Sequence, residues 1–337
     1  MALTPRAQHG LVRFDFGGGV TLEIGGPRAV ARHFTAEYGA AASDGAAPAT
    51  VISFDGSSAA HERYKTVRWR IELGDPSEEP LGARVQIAGW PRSFVLSLLQ
   101  GYLVEPLLAV AAARLGSVLL PSAAIEADGG YVLLLGRSRS GKSSLCARAL
   151  ATGRSILGDD HVLLDGAGRG RAFPRRLRVY SDLELTAPAA YRRIGGAARA
   201  ALSARRVVRQ ATRGWIAPSL RLQSEKLGRP FPRMSVPLER VVAIRRDADV
   251  RDLVQAELSL PGVVDFATTV ADEQRARLDD AAGPAGWGAA LAAAREADRR
   301  VLLAALHGLP AQTLLVPAAW DARRSVDALA SAIGLDA

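Results

Sequence analysis

The first 90 residues alternate apolar and polar positions with the period of two that is typical of β-strands. Apolar side chains on both sides of a glycine run predict a β-hairpin whose facing positions are Val12, Phe14 and Phe16 on one strand and Val20, Leu22 and Ile24 on the other. Further short strands are predicted at residues 50–54, 66–72 and 84–88. We therefore expect a small β-rich N-terminal module over residues 1–95.

From residue 91 to residue 115 the apolar positions recur with a helical period. Polar residues and a proline interrupt this stretch, so it predicts a pair of buried helices with a break at Pro106 rather than a membrane span. The N-terminus lacks the charged start and apolar core of a signal peptide. We expect a cytoplasmic protein that makes no membrane contact.

The second part of the chain alternates strand and helix patterns. Residues 131–136 read as a buried central strand, and residues 238–245 and 313–317 read as further strands. Helical periods cover residues 287–306 and 321–335. The pattern predicts an α/β domain over residues 96–337.

Composition narrows the function classes. The 337 residues contain one cysteine, Cys146, which excludes an intramolecular disulfide framework and a multi-cysteine zinc site. The absence of asparagine excludes N-glycosylation sequons, the guanine-reading motif of small GTPases and the catalytic loop of protein kinases. The chain contains three lysines among 43 basic residues, so a well-placed lysine is informative.

Residues 136–143 match the phosphate-binding loop G-x-x-x-x-G-K-[ST], between a strand and a helix-compatible segment. Backbone N–H groups of such a loop and the following helix N-terminus bind polyphosphate, Lys142 adds a mobile charge, and the Ser143 hydroxyl suits Mg²⁺. The predicted nucleotide-binding residues are Gly136, Arg137, Ser138, Arg139, Ser140, Gly141, Lys142, Ser143 and Ser144.

A pair of carboxylates follows the loop. Asp159 and Asp160 lie at the end or in the middle of a predicted strand that we expect beside the loop strand. One carboxylate of such a pair can hold metal while the other accepts a proton from an attacking hydroxyl. A solvated turn is the alternative for the pair. The adjacent His161 fits a structural role better than that of a proton relay.

The combination of strand, G-x-x-x-x-G-K-S loop, helix and the string Leu157-Gly158-Asp159-Asp160 resembles the HPr kinase/phosphorylase superfamily, including related peptide kinases found with lasso peptide biosynthesis, and more distantly phosphoenolpyruvate carboxykinase. The resemblance covers roughly residues 117–180. It implies a P-loop kinase core of the HPr kinase/PEP carboxykinase type.

The resemblance also implies roles for individual residues. It makes Lys142 and Asp159 catalytic, with Asp159 as the base, and Ser143 and Asp160 the metal ligands, with ATP and Mg²⁺ as cofactors and a homo-oligomeric assembly. Arg139 stands where the family usually has glycine, and residues 120–123 read Leu-Pro-Ser-Ala where many relatives have a histidine, so the resemblance does not imply a role that rests on that histidine, such as a reverse phosphorylase activity.

Positive charge is concentrated after the Asp pair. Residues 166–246 contain 19 basic and four acidic residues, although the whole chain carries only +9. Such a field attracts an acidic partner, and Arg175, Arg176 and Arg178 are predicted to approach phosphate. Nucleic acid is disfavoured as the partner because no zinc finger, RRM-type motif or helix-turn-helix accompanies the charge.

These patterns predict an ATP-dependent, Mg²⁺-requiring kinase that transfers a phosphoryl group to a hydroxyl, preferentially a serine, of a peptide or small protein. An acidic acceptor would suit the basic block. The alternative is a nucleotide-binding regulatory module without phosphotransfer.

Overall fold

The computed structural model describes residues 10–56, 62–64, 67–90, 92–213, 215, 218–282 and 287–335. Helices and strands mix along the chain, so the predicted α/β class is confirmed. The chain divides into two compact units. The first comprises Met1–Leu119 and Thr268–Leu302, and the second comprises Leu120–Ala267 and Leu303–Ala337.

The division lies after Leu119, whereas the sequence analysis places it after residue 95. The helical stretch Arg92–Arg114 belongs to the first unit, where the Tyr38 hydroxyl donates a hydrogen bond of 3.1 Å to the Glu105 carboxylate. Thr268–Leu302 also returns to this unit. A helical period indicates that a helix is buried but not which sheet it packs against, so the sequence could not reveal either assignment.

The strands, in chain order, are β1 (Gly10–Asp15), β2 (Thr21–Gly26), β3 (Thr50–Gly56), β4 (Glu62–Tyr64), β5 (Val67–Leu73), β6 (Leu81–Gly89), β7 (Ser117–Leu120), β8 (Ser122–Glu126), β9 (Tyr131–Gly136), β10 (Ile156–Gly158), β11 (Val162–Asp165), β12 (Arg169–Ala172), β13 (Leu177–Val179), β14 (Leu220–Leu222), β15 (Val236–Asp247), β16 (Val254–Glu257) and β17 (Ala311–Pro317). The α-helices are α1 (Arg28–Tyr38), α2 (Arg92–Leu99), α3 (Glu105–Arg114), α4 (Lys142–Ala151), α5 (Leu183–Thr186), α6 (Pro188–Arg193), α7 (Gly196–Ala211), α8 (Leu260–Ala282), α9 (Trp287–Leu306) and α10 (Ala322–Ala332).

The sheet of the first unit has the strand order β1-β2-β3-β6-β5-β4. Its first two strands form the predicted hairpin, with Val12 opposite Ile24 and Phe14 opposite Leu22, so that prediction is confirmed. Helix α1 packs on these strands, and its Tyr38 ring meets the Phe14 ring edge-on at 5.6 Å between centroids. The alternating pattern thus buries one face of the sheet under a helix.

The apolar helical stretch does not break at Pro106 as predicted. Pro106 lies in the first turn of α3, directly after a π-turn at Gln100–Val104, and the helical stretch continues through it. The buried Gln100 side chain donates to the Tyr38 hydroxyl at 2.9 Å and to the Glu105 carboxylate at 3.0 Å. These bonds satisfy polar groups that would otherwise be costly in a core.

Among the described residues, Arg92–Arg114 is the helix long and apolar enough to cross a membrane by length and composition. Of its most apolar window, 72% is buried inside the protein, as expected for the core helix of a soluble protein.

The sheet of the second unit is built on three parallel strands. Strand β15 lies between β9 and β17, and all three run in the same direction. Antiparallel β8 and then β10 continue the sheet beyond β9, and β16 pairs with β17. The start of β15 also pairs with β12, which forms a hairpin with β11. The predicted strands 131–136, 238–245 and 313–317 are therefore confirmed.

Strand β10 does not lie beside the loop strand β9 as predicted, because β8 separates them. The register pairs Ala124 of β8 with Leu133 of β9 and with Gly158 of β10. Sequence order favoured direct adjacency, but the preceding strand already occupies that edge of β9. Helices α4 and α10 pack together in this unit, and the core includes Leu134, Leu145 and Leu329.

Candidate functional site

The segment Gly136–Ser143 connects the carboxyl end of β9 to the first turn of α4. Gly136 pairs with Ile244 of β15, so the end of β15 lies beside this loop. Strand β17, parallel to β15, ends at Pro317. The carboxyl ends of three parallel strands therefore meet at one edge of the sheet, which is where open α/β sheets bind ligands.

Two glycines are required by the shape of the loop. A Cβ on Gly136 would lie 2.7 Å from the Ser140 Oγ and 3.0 Å from the Ile244 carbonyl oxygen. Gly141 has a φ of +105°, at which any residue with a side chain would be strained. Arg139 also has a positive φ, of 70°, so its backbone adopts the left-handed turn that glycine usually supplies.

The Lys142 side chain folds back over the loop. Its ammonium donates to the carbonyl oxygens of Gly136 and Arg137, the latter at 3.3 Å, and lies 3.4 Å from the Ser140 Oγ. Burial lowers the pKa of Lys142, and the charge of Asp160 opposes that shift. The loop carbonyls thus hold the Lys142 ammonium, and a bound anion could compete with them for it.

A tight turn after β10 sets the two aspartates. A Cβ on Gly158 would lie 2.0 Å from the His161 carbonyl oxygen, so the turn requires glycine there. Asp159 is only 1% exposed, and its Oδ2 accepts a hydrogen bond of 3.2 Å from the Arg178 backbone N–H. Asp160, in contrast, reaches the surface of a cavity. His161 is buried with its ring 5.6 Å from the Phe173 ring, which fits the structural role.

The two carboxyl groups differ in ionisation. Burial and the charge of Asp160 raise the pKa of Asp159 to about 7. Burial also acts to raise the pKa of Asp160, but Arg175 and Arg178 outweigh it and hold that pKa below its usual range. Their guanidinium groups lie 3.2 Å and 3.5 Å from the Asp160 Oδ2. At neutral pH, Asp160 is therefore a carboxylate, whereas Asp159 is poised to exchange a proton.

A cavity of about 800 Å³ opens over the loop. Its lining residues are Ser138, Arg139, Ser140, Gly141, Lys142, Ser143, Ser144, Asp160, Arg178, Tyr180, Asp182, Thr186, Arg209, Arg213, Arg246, Ala318, Trp320, Ala322 and Val326. The structure thus brings most of the predicted loop residues together with Asp160. Gly136, Arg137 and Asp159 are not among the lining residues.

The arginines that line this cavity differ in part from those predicted. Of the three arginines expected to approach phosphate, Arg178 lines the cavity, Arg175 is buried against Asp160, and Arg176 is half-buried outside the lining. Sequence analysis missed Arg209, Arg213 and Arg246 as individual residues, although all three lie within the basic block it singled out. It also missed the wall formed by Ala318, Trp320, Ala322 and Val326.

The described residues contain no group of three or more His, Cys, Asp or Glu side chains that could hold a metal ion by themselves. Ser143 and Asp160, however, both line the cavity and offer oxygen donors. Mg²⁺ commonly takes one or two protein oxygens and completes its shell with water and phosphate oxygens. The donor set therefore fits a metal ion that arrives with a polyphosphate.

Replacement of Asp159 by Asn is expected to remove a pH-dependent cost to folding. The unfolded carboxyl ionises near pH 4 but the folded one near pH 7, so the wild type loses stability as the pH rises between these values. Asn retains an acceptor for the Arg178 N–H. Urea unfolding should give Asp159→Asn an advantage of about 4 kcal/mol at pH 8 and almost none at pH 4, because a pKa difference of about three corresponds to about 1.4 kcal/mol for each unit. An advantage that does not change with pH would contradict this ionisation.

No protein-family model matches the chain, and no curated protein matches it.

Proposed function

We propose that the chain is an ATP-dependent, Mg²⁺-requiring phosphotransferase with a P-loop kinase core of the HPr kinase type. One observation carries the proposal: loop residues 138–143, Lys142 among them, and Asp160 line one cavity at the ends of parallel strands. The proposal also includes a cytoplasmic location.

The loop would bind the triphosphate. Its positive-φ turns at Arg139 and Gly141 support a concave run of backbone N–H groups, and α4 begins at Lys142 with the positive end of its dipole toward the loop. Lys142 would exchange its carbonyl contacts for phosphate oxygens. Because phosphoryl transfer depends mainly on positioning and charge neutralisation, these groups supply much of what the reaction needs.

Ser143 and Asp160 would hold Mg²⁺, which neutralises charge on the phosphates when bound. Arg175 and Arg178 keep the Asp160 carboxylate ionised and orient it from the protein side. In this arrangement the two arginines contact the metal-binding carboxylate of Asp160 rather than the phosphate.

Asp159 would accept the proton of the acceptor hydroxyl. Its pKa of about 7 suits a base that works near neutral pH. Asp159 is 1% exposed and does not line the cavity, so the acceptor hydroxyl would have to enter beside the neighbouring Asp160 to reach it. This role predicts an activity that rises with pH through the pKa of Asp159.

A basic groove adjoins the cavity and would receive the acceptor. It has a volume of about 340 Å³ and is lined by Ser181, Asp182, Leu185, Arg206, Arg209, Gln210 and Arg213. Asp182, Arg209 and Arg213 also line the larger cavity, so the two are continuous. Helix α7 along the groove carries four arginines and no acidic residue. This charge supports an acidic peptide or small protein as the acceptor.

Arg206 tests the groove because it does not line the larger cavity. Its guanidinium donates to the Glu184 carboxylate at 2.9 Å and to the Ser181 carbonyl at 3.1 Å. Arg206→Gln is expected to raise the KM for an acidic serine peptide about tenfold and leave the Kd for ATP unchanged, because one charge is lost from the acceptor side only. Arg192→Gln, at an exposed arginine outside the groove, is the matched control. Equal KM values for the two variants would rule out this acceptor site.

A regulatory nucleotide-binding module without phosphotransfer is the second candidate. The observation that favours it is the burial of Asp159, which is 1% exposed and absent from the cavity lining. Such a module would bind ATP and transfer no phosphate.

The deciding experiment incubates the protein with γ-labelled ATP, Mg²⁺ and acidic serine-containing peptides. Labelled peptide with the wild type, and a loss of labelling in Asp159→Asn, would support the kinase. ATP binding by calorimetry without labelling of any peptide would support the regulatory module. Absence of ATP binding would overturn both candidates.

A further inference from the structure

The lining of the large cavity is divided between two kinds of surface. The loop residues, Asp160 and the arginines form a charged part, whereas Ala318, Trp320, Ala322 and Val326 form an apolar part. All four apolar residues come from one segment, which follows β17 and continues into α10. A nucleotide has the same division, because its phosphates are anionic and its base is flat and largely apolar on its faces.

The backbone on both sides of Trp320 is fixed by hydrogen bonds. The Ala318 N–H donates to the Asp247 carbonyl at 2.7 Å, and the Trp320 N–H donates to the Pro317 carbonyl at 3.2 Å. Asp321 then caps α10 by accepting from the Arg324 N–H at 2.8 Å. These contacts attach the segment to the ends of β15 and β17 and thereby fix the backbone that carries the indole.

Two arginines hold the tryptophan further. The Arg246 guanidinium donates to the carbonyl oxygens of Pro317 at 3.2 Å and Trp320 at 3.4 Å. The Arg324 guanidinium lies over the indole, 4.1 Å from the ring centroid, and lies 3.6 Å from the Asp252 carboxylate. One face of the ring is therefore covered by a cation, and the half-buried indole still contributes to the cavity wall.

From this division we infer that Trp320 forms a nucleobase subsite, in which the base of the bound nucleotide stacks on the indole face opposite Arg324. The inference rests on the proposed function, which supplies the nucleotide, and adds the residue that contacts its base. Aromatic stacking accepts any base because every base has a π-face. Trp320 would therefore increase affinity for nucleotides over phosphate chains of the same length.

The test compares ATP with inorganic tripolyphosphate, each with Mg²⁺, by isothermal titration calorimetry on the full chain. The wild type should bind ATP at least about tenfold more tightly than tripolyphosphate, since stacking of one base on an aromatic ring has about that effect. Trp320→Ala should raise the Kd for ATP about tenfold and leave the Kd for tripolyphosphate unchanged. Trp320→Phe should recover most of the ATP affinity because it keeps an aromatic face.

Trp90→Ala is the matched control, because Trp90 is an exposed tryptophan of the first unit. Near-ultraviolet circular dichroism checks that each variant is folded. If Trp320→Ala does not fold, Trp320→Phe still tests the subsite. Equal weakening of ATP and tripolyphosphate, or an unchanged ATP affinity, would overturn the base subsite while the phosphate site stands. A wild type that binds neither ligand would overturn the subsite and the proposed function together.

Discussion

Lys142→Ala is expected to reduce phosphotransfer at least about 10³-fold, because the ammonium would contact charge that develops on the transferred phosphoryl group. Its present partners are loop carbonyls, which water can satisfy equally well when the side chain is removed. Burial already lowers the pKa of this lysine, so keeping the charge there carries a cost. The free energy of unfolding should therefore change by less than about 1 kcal/mol.

The measurements are peptide labelling with γ-labelled ATP and urea unfolding of the same preparations. Lys226→Ala is the matched control, since Lys226 is another of the three lysines and is exposed outside the cavity. Lys142→Arg should not restore activity, because a planar guanidinium does not replace a compact ammonium within a tight loop. Turnover equal to that of the wild type in Lys142→Ala would refute the assignment of this loop to phosphate.

Asp160→Asn should have the second largest effect and, unlike Lys142→Ala, should also destabilise the fold. The variant keeps the size of the side chain but removes the charge that Arg175 and Arg178 contact at 3.2 Å and 3.5 Å. Arg175 is 4% exposed, so loss of its carboxylate partner should cost about 1–3 kcal/mol. Activity should fall about 10²–10³-fold because the amide is a poor ligand for Mg²⁺.

A dependence on metal concentration separates these two effects. If Asp160 holds the metal, the activity that remains in Asp160→Asn should require more Mg²⁺ than the wild type, whereas a purely structural loss would leave the Mg²⁺ requirement unchanged. The pKa of Asp159 should also fall, because the charge of Asp160 is one cause of its elevation. A pH profile of the variant that coincides with that of the wild type would argue against this coupling.

The conformation of the loop could be predicted from the sequence because it is encoded in consecutive residues at fixed spacing. Gly136 and Gly141 are required by a close contact and a positive φ respectively, and the Lys142 ammonium contacts carbonyl oxygens of the same short segment. The hairpin at the start of the chain was predictable for a similar reason, since turn and alternation specify its register. Local patterns of this kind can be recognised without knowledge of the tertiary fold.

The remaining parts of the site depend on contacts between distant segments. The turn after Gly158, together with Arg175 and Arg178, decides which of the two aspartates faces the cavity. The separation of β10 from β9 depends on strand pairing that sequence order does not specify. Trp320 carries no local signal, because an isolated tryptophan before a helix is ordinary core composition. It reaches the cavity only because β17 pairs with β15.

The second unit is discontinuous along the chain, since Leu120–Ala267 and Leu303–Ala337 are separated by a segment of the first unit. During synthesis the glycine loop, the aspartates and the arginines leave the ribosome well before β17 and the residues around Trp320. A nascent chain would therefore hold the charged part of the cavity without its apolar wall. The pocket is complete only after Leu303–Ala337 has followed the intervening segment, and neither unit can be released whole by a single proteolytic cut.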